Sequence, residues 1–197
     1  MIQLLFRGGY TMIPILLCSV VSLAVIIERA FSLRAARVLP PPLLKELEES
    51  GRPLDELASR LQGERGILAG VLAAGLENRG ISPEQNREIL QAAEKAAASR
   101  MERGLTLLEI VAVISPLLGL LGTVIGMVQV FEVISQVGAG HAQALSRGIS
   151  QALISTIAGL VVAIPALIAH SVYSRKVDSL LLRIEQATAR LLLRLSR

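Results

Sequence analysis

Hydrophobic and polar positions divide the chain into three long apolar runs separated by charged regions. Residues 8–27, 110–131 and 148–174 contain no Lys, Arg, Asp or Glu. A helix of about 20 residues crosses a hydrocarbon core of about 30 Å, and backbone groups in lipid have to be satisfied internally. The pattern therefore predicts three transmembrane helices, near residues 10–28, 108–134 and 149–173.

The basic residues between the runs predict the direction of the helices, because Lys and Arg accumulate in the cytoplasmic loops of membrane proteins. Arg7 stands alone before the first run, and Arg147 stands alone between the second and third. The other eighteen basic residues lie within 29–103 or after Tyr173. We therefore expect an N-terminus that faces out of the cell, a cytoplasmic C-terminus and a short external hairpin, Val133–Gly148.

The region between the first and second runs reads as a set of cytoplasmic helices. Residues 34–104 hold eleven basic and eleven acidic side chains, a balance that argues against a nucleic-acid-binding arm. Ser82 followed by Pro83 is a helix N-terminus signal, and we expect this helix to continue with little interruption into the second span. About seventy residues form only a small core, so neighbouring chains are expected to complete it.

The segment after the third run has apolar residues at helical spacing, namely Val177, Leu180, Leu181, Ile184, Leu191 and Leu195. The third span is therefore expected to continue as a cytoplasmic helix. The alternative is a basic amphipathic helix lying on the inner leaflet. The predicted regions are 1–33 (periplasmic end and first transmembrane helix), 34–104 (cytoplasmic helices), 105–174 (second and third transmembrane helices with their hairpin) and 175–197 (cytoplasmic C-terminal helix).

Composition excludes several classes of protein. The chain is 52% hydrophobic and 18% charged, which does not suit a disordered tail or a nucleic-acid binder. The single cysteine, Cys18, and two distant histidines, His141 and His170, predict neither a disulfide nor a metal site, and no cofactor is expected. Both histidines are expected to be solvated or interfacial. No nucleophile triad or phosphate-binding loop is apparent, so we do not expect an enzyme.

Small and polar residues form a stripe along the second predicted span, because positions three or four apart share a helix face. Its members are Ser115, Gly119, Gly122, Thr123 and Gly126. Such a stripe lets another helix approach closely. The stripe is therefore either a packing face or part of a pore wall.

The third predicted span carries its own polar residues, Gln151, Ser155 and Thr156, followed by Gly159 and Pro165. A glutamine amide in lipid would leave donors and acceptors unpaired, so it is expected to face protein or a water-filled cavity. The threonine hydroxyl has another option, a bond to a carbonyl of its own helix. A polar pathway and local packing both remain open at this point.

These residues resemble the ExbB/TolQ/MotA family of proton-channel and motor stator proteins, and its ExbB and TolQ branch most closely. Residues 115–124, SPLLGLLGTV, are similar to the second-span signature of the family. Residues 148–156, GISQALIST, with GL at 159–160 and AIPA at 163–166, are similar to the third-span signature. The first span, ending in ERA at 28–30, and the three-helix layout extend the resemblance to nearly the whole chain.

The resemblance implies five copies around an axis, whose second and third helices surround single-span helices of an ExbD- or TolR-like partner. That partner would contribute the membrane aspartate that binds and releases the proton, and Thr123 and Thr156 would line its path. Pro116 and Pro165 match the prolines of the family, each of which frees a carbonyl and bends a helix. Gln151 departs from the pattern: ExbB and TolQ usually carry a glutamate there, whereas MotA-type members have no carboxylate, and an amide holds no dissociable proton.

The sequence thus predicts an all-α, multi-pass protein of the bacterial inner membrane that assembles as a ring and works as a subunit of an ion-driven motor. A TonB- or TolA-like protein would carry the work to the cell envelope; the envelope task, and sodium as an alternative to protons, stay open. The expected ion-pathway residues are Thr123, Gln151, Ser155 and Thr156, and the expected packing and bending residues are Ser115, Pro116, Gly119, Gly122, Gly126, Gly159 and Pro165. The alternative function is a membrane scaffold that conducts no ions, with the hydroxyls acting only as links between helices.

Overall fold

The computed structural model describes residues 9–48, 54–61, 63–64, 66–137 and 142–195, and all regular secondary structure within these ranges is α-helical. The helices in these ranges are α1 (Met12–Ser32), α2 (Ala35–Val38), α3 (Pro41–Glu48), α4 (Leu54–Leu61), α5 (Ile67–Glu77), α6 (Pro83–Glu102), α7 (Leu105–Val137) and α8 (Ala142–Leu195). The expectations for Arg7 and for His141 fall outside the described residues, as does the middle of the predicted external hairpin.

Three of these helices are long and apolar enough to cross a membrane, within Met12–Ser32, Leu105–Gln136 and Gly148–Leu195. They confirm the three predicted transmembrane helices. α8 is a single helix of 54 residues, about 80 Å long at about 1.5 Å per residue. A separate amphipathic helix lying on a membrane surface would require a break after the third span, and α8 has none.

The expected continuation of α6 into α7 is interrupted between Glu102 and Leu105. Gly104 has a φ of 87°, a left-handed conformation that side chains with a Cβ rarely adopt. A glycine at this place after the last helical residue is a common way for a helix to end. The chain therefore turns at Gly104 before the second span begins.

The chain forms two compact units, and each is built from two separate stretches. The first unit comprises Met1–Ile27 and Gly104–Ser171, and the second comprises Glu28–Arg103 and Val172–Arg197. Two of the three boundaries fall inside long helices, α1 and α8, and the third falls between α6 and α7. Neither unit is a contiguous segment, which explains why the sequence shows no separable globular domain.

The second unit is centred on α5, which buries Leu68, Ala69, Val71, Leu72, Gly75 and Leu76. A Cβ added at Gly75 would lie 2.8 Å from Leu90 of α6 and 3.2 Å from Leu191 of α8. The absence of a side chain there lets all three helices meet. These helical pieces pack on α8 of their own chain, and the expectation that neighbouring chains complete the core stays a prediction.

Two polar residues of α6 satisfy helix ends in this unit. The Ser82 hydroxyl accepts a hydrogen bond from the backbone N–H of Gln85 at 3.3 Å, as the sequence predicted for this N-cap. The buried Asn86 amide donates to the carbonyl oxygens of Gly75, at 2.9 Å, and Asn78, at 3.2 Å. The first bond satisfies a carbonyl that the end of α5 leaves without a helical partner, whereas the Asn78 carbonyl also accepts from the backbone N–H of Ile81 at 3.3 Å.

Candidate functional site

The second and third spanning helices contact each other mainly through residues with small side chains. The facing positions run in opposite directions along α7 and α8: Val130 with Gly148, Gly126 with Ala152, Gly122 with Ser155, Gly119 with Thr156, and Ser115 with Gly159. A Cβ added at Gly122 would lie 2.5 Å from the Cβ of Ser155. The two backbones are therefore as close as small residues allow.

Ser155 lies fully buried where this contact meets the start of the first span. The Thr11 hydroxyl donates to Ser155 Oγ at 3.4 Å, and the Ser155 hydroxyl donates to the Gln151 carbonyl at 3.3 Å. The sequence prediction missed Thr11. Its signal was topological: the first and third spans run in the same direction, so their N-terminal ends lie on the same side of the membrane.

Thr156 and Thr123 are half-buried at the border of the α7–α8 contact. The Thr156 hydroxyl donates across it to the Gly119 carbonyl at 3.2 Å, whereas the Thr123 hydroxyl donates within its own helix to the Leu120 carbonyl at 2.6 Å. Thr123 follows the contact residue Gly122, and Thr156 follows Ser155, so each threonine is rotated about 100° around its helix from the centre of the contact. Because the two helices are antiparallel, the two rotations point toward the same edge of the contact. The structure thus brings Thr123 and Thr156 to one edge of the contact.

Gln151 lies on the other edge of the contact, because five residues at about 100° each separate it from Thr156 by about 140° around α8. Its side chain is half-buried against Gly9, whose φ is 74° and where an added Cβ would lie 2.5 Å from Gln151 Nε2. The Gln151 amide makes no hydrogen bond with the residues that the structure describes. The structure therefore separates Gln151 from the two threonines and places it beside the start of α1.

The remaining predicted residues lie nearer the N-terminus of α7 and further along α8. Ser115 is fully buried opposite Gly159, and its hydroxyl has no hydrogen-bond partner within the described ranges. α7 and α8 continue through Pro116 and Pro165. Each proline lacks the N–H that would bond the carbonyl four residues earlier, so both helices have a weakened backbone ladder at these points. The bend expected at each proline stays a prediction.

The chemistry available at this contact is that of neutral hydrogen-bonding groups. Among the described residues, no group of three or more His, Cys, Asp or Glu side chains is arranged to hold a metal ion. Neither apolar run around the contact contains Asp or Glu. Hydroxyls and an amide can orient water or a carboxyl group, but they cannot carry a proton through a cycle of binding and release.

These features define a multi-pass helical membrane protein with a neutral, hydroxyl-bearing contact between two of its spanning helices. The chain belongs to the MotA/TolQ/ExbB proton channel family, which matches its residues 63–186. This membership confirms the family that the two sequence motifs predicted, and the family is one of transport proteins rather than of enzymes.

Several relatives represent the ExbB and TolQ branch of the family. The ExbB-like 3 biopolymer transport protein of Synechocystis is 33% identical over 84% of this chain and 81% of its own length. The biopolymer transport protein exbB1 of Vibrio cholerae is 26% identical over 93% and 83%. The Tol-Pal system protein TolQ of Haemophilus influenzae is 30% identical over 82% and 77%. The similarity therefore extends over most of each protein.

Proposed function

We propose that this chain is an ExbB/TolQ-like subunit of an ion-driven motor in the bacterial inner membrane. Five copies form a ring around single-span ExbD/TolR-like partners, and each partner carries a membrane aspartate. Proton flow through the ring protonates and releases this carboxylate, which rotates the partner helices. A TonB- or TolA-like protein passes the work to the envelope. One unit charge that crosses 100 mV supplies about 2.3 kcal/mol.

The observation that carries this proposal is the shared edge of Thr123 and Thr156. Two half-buried hydroxyls lie on one side of a close helix contact, in apolar runs that contain no Asp or Glu. A fixed cation at this place would repel protons, and a fixed anion would trap them. A neutral wall with hydrogen-bonding groups suits a pathway in which another chain supplies the titrating carboxyl group.

The hydrogen bonds of the two threonines indicate how they would treat that carboxyl group. Each hydroxyl donates its proton to a backbone carbonyl, so its oxygen presents only acceptor lone pairs. In this arrangement the two threonine oxygens can accept a hydrogen bond from water or from a protonated carboxyl group. Each hydroxyl has to rotate away from its carbonyl before it can donate to a carboxylate. A protonated partner carboxyl group would therefore meet threonine oxygens that accept a hydrogen bond, and an ionised one would require the hydroxyls to rotate and donate.

Thr123→Val tests the motor directly, because the only hydrogen bond of Thr123 among the described residues is local to α7. We expect the variant to assemble normally and to lose gradient-driven output by about tenfold, the effect of losing one hydrogen bond to a charged group. The readouts are the mass of the purified complex and envelope energization in cells. The control is Thr106→Val at the start of α7, where the side chain is exposed. Wild-type output from the assembled Thr123 variant would refute the proposed pathway.

A scaffold without ion conduction is the second candidate, and one observation favours it. The Thr156 hydroxyl donates to the Gly119 carbonyl of α7, and Ser155 Oγ accepts from Thr11, so two of the hydroxyls act as links between separate parts of the chain. A scaffold predicts that Thr123→Val keeps both assembly and output. It also predicts that Thr156→Val weakens assembly, because that substitution removes the bond from α8 to α7.

A further inference from the structure

The part of α8 beyond the third span, residues 172–195, has two faces of opposite character; we call this segment the α8 extension. One face packs on its own unit and buries Val177, Leu180, Ile184, Ala187 and Leu191. The opposite face is exposed at every step of a four-three repeat, at Arg175, Ser179, Leu182, Gln186, Ala189 and Leu193. We call this exposed row the outer seam. Its spacing is that of the a and d positions of a coiled coil.

The two flanks of the outer seam carry opposite charges at heptad spacing. Lys176, Arg183 and Arg190 follow one another at intervals of seven residues on one flank, and Asp178 and Glu185 do so on the other. Arg183, Asp178 and Glu185 are exposed. In heptad terms the basic residues occupy e positions and the acidic residues g positions, which are the positions that set partner choice and orientation.

This charge pattern is complementary to a second copy of the same helix in parallel orientation. In a parallel pair, the g residue of one helix lies near the e residue five positions later in its neighbour. Asp178 would therefore face Arg183 of a second copy, and Glu185 would face Arg190. An antiparallel pair would bring like charges together. Copies of a membrane protein that insert in the same direction are necessarily parallel.

A groove on the acidic flank offers room for a side chain of a neighbouring helix. It has a volume of about 160 Å³ and lies between α6 and the α8 extension. Its lining includes Glu185 and Leu192 of α8 with Gln91 and Glu94 of α6, and Arg87 lies among them. A basic side chain that enters beside Glu185 would meet two carboxylates and one cation, so the net charge of the groove favours the basic flank.

We propose that the α8 extension is a contact surface between copies of this chain, in which the basic flank of one copy packs against the acidic flank of the next. The inference rests on the proposed ring and names one of its interfaces. Each copy presents its basic flank to one neighbour and its acidic flank to the other. Such a head-to-tail contact generates a closed ring when the rotation between successive copies brings the last copy back to the first. The seam has few large apolar residues, chiefly Leu182 and Leu193, so the charges fix its register.

Charge reversal of the Asp178–Arg183 pair tests the inference; Arg190 is set aside because it also interacts within its own chain. Arg183→Glu should raise the concentration at which the purified full-length complex dissociates in detergent by about fivefold per interface. The double variant Asp178→Arg with Arg183→Glu restores opposite charges and should return the value to that of the wild type. Arg100→Glu, an exposed site on α6, is the control with the same charge change.

Cross-linking separates this seam from the ring itself. In a Cys18→Ala background, Asp178→Cys combined with Arg183→Cys should give covalent ladders that extend beyond the dimer, since each copy links to two neighbours. Ladders that stop at the dimer, or no cross-links in a complex of ring mass, would overturn the seam and leave the ring intact. A wild-type chain that stays monomeric would overturn the proposed ring. The Thr123→Val experiment tests the ion pathway instead and does not decide between these outcomes.

Discussion

At the scale of single residues, the side chain of Gln151 is a polar amide within a membrane-spanning helix. Its amide is half-buried beside Gly9 and makes no hydrogen bond with any described residue. An unpaired amide in apolar surroundings costs about 1–3 kcal/mol. A group from outside the described residues, such as water or a partner side chain, would remove that cost.

Gln151→Glu should change how output depends on pH. At low pH the carboxyl group is protonated and resembles the amide, so variant and wild type should give the same output. As pH rises the carboxyl group ionises, and the two curves should separate. The measurement is gradient-driven output between about pH 5 and 8, the range over which folded proteins are generally most stable. Superimposable profiles would show that the side chain at this position takes no part in ion transfer.

At the scale of helices, the α7–α8 contact depends on glycines that leave no room for a Cβ. Gly159 is the tightest case where the neighbour is backbone, because an added Cβ would collide with the carbonyl oxygen of Ser115. A backbone atom cannot turn aside as the end of a long side chain can. Gly70 of α5 is the opposite case, since a Cβ there would meet nothing within 4 Å.

Gly159→Ala should therefore destabilise the protein by about 1–3 kcal/mol, the usual cost of overpacking. Gly70→Ala should instead stabilise it, by up to about 1 kcal/mol, because alanine has the higher helix propensity. Thermal unfolding of both variants in the same detergent gives the comparison. Equal changes in unfolding temperature for the two substitutions would mean that the close approach of α7 and α8 does not require a glycine at position 159.

At the scale of the whole molecule, the direction of the helices is a prediction that rests on the distribution of basic residues along the chain. Their distribution predicts that α6 is cytoplasmic and that the end of α7 is periplasmic. Ser99 of α6 and Ser135 of α7 are both exposed, so they offer matched positions for labelling.

In a Cys18→Ala background, Ser135→Cys should react with a membrane-impermeant maleimide in intact spheroplasts. Ser99→Cys should react only after the membrane is opened. The reverse pattern would invert the topology and place the α8 extension on the periplasmic side. Denatured samples of both variants, labelled to completion, provide the control for reactivity.

The local parts of the fold were predictable from the sequence because their causes are local. Three apolar runs of sufficient length predicted the three spans, and Ser82 with Pro83 predicted the start of α6. The break at Gly104 was not anticipated, because one glycine in a helical pattern is compatible with both continuation and termination. The packing of α5 was not predictable from its own residues, since it depends on Leu191, more than a hundred residues later.

The amino-acid sequence by itself indicated the family, through two motifs that resemble its signatures. It also determined the three spans and the inventory of neutral polar groups, because these follow from composition and spacing along single helices. Only the tertiary structure decided which of those groups meet. It placed Thr11 beside Ser155, brought Thr123 and Thr156 to one edge of the α7–α8 contact, and left Gln151 on the edge beside α1. The physical reason is that residue spacing fixes only the angle of each side chain around its own helix axis. Which edge of the α7–α8 contact is covered depends on where the start of α1 packs.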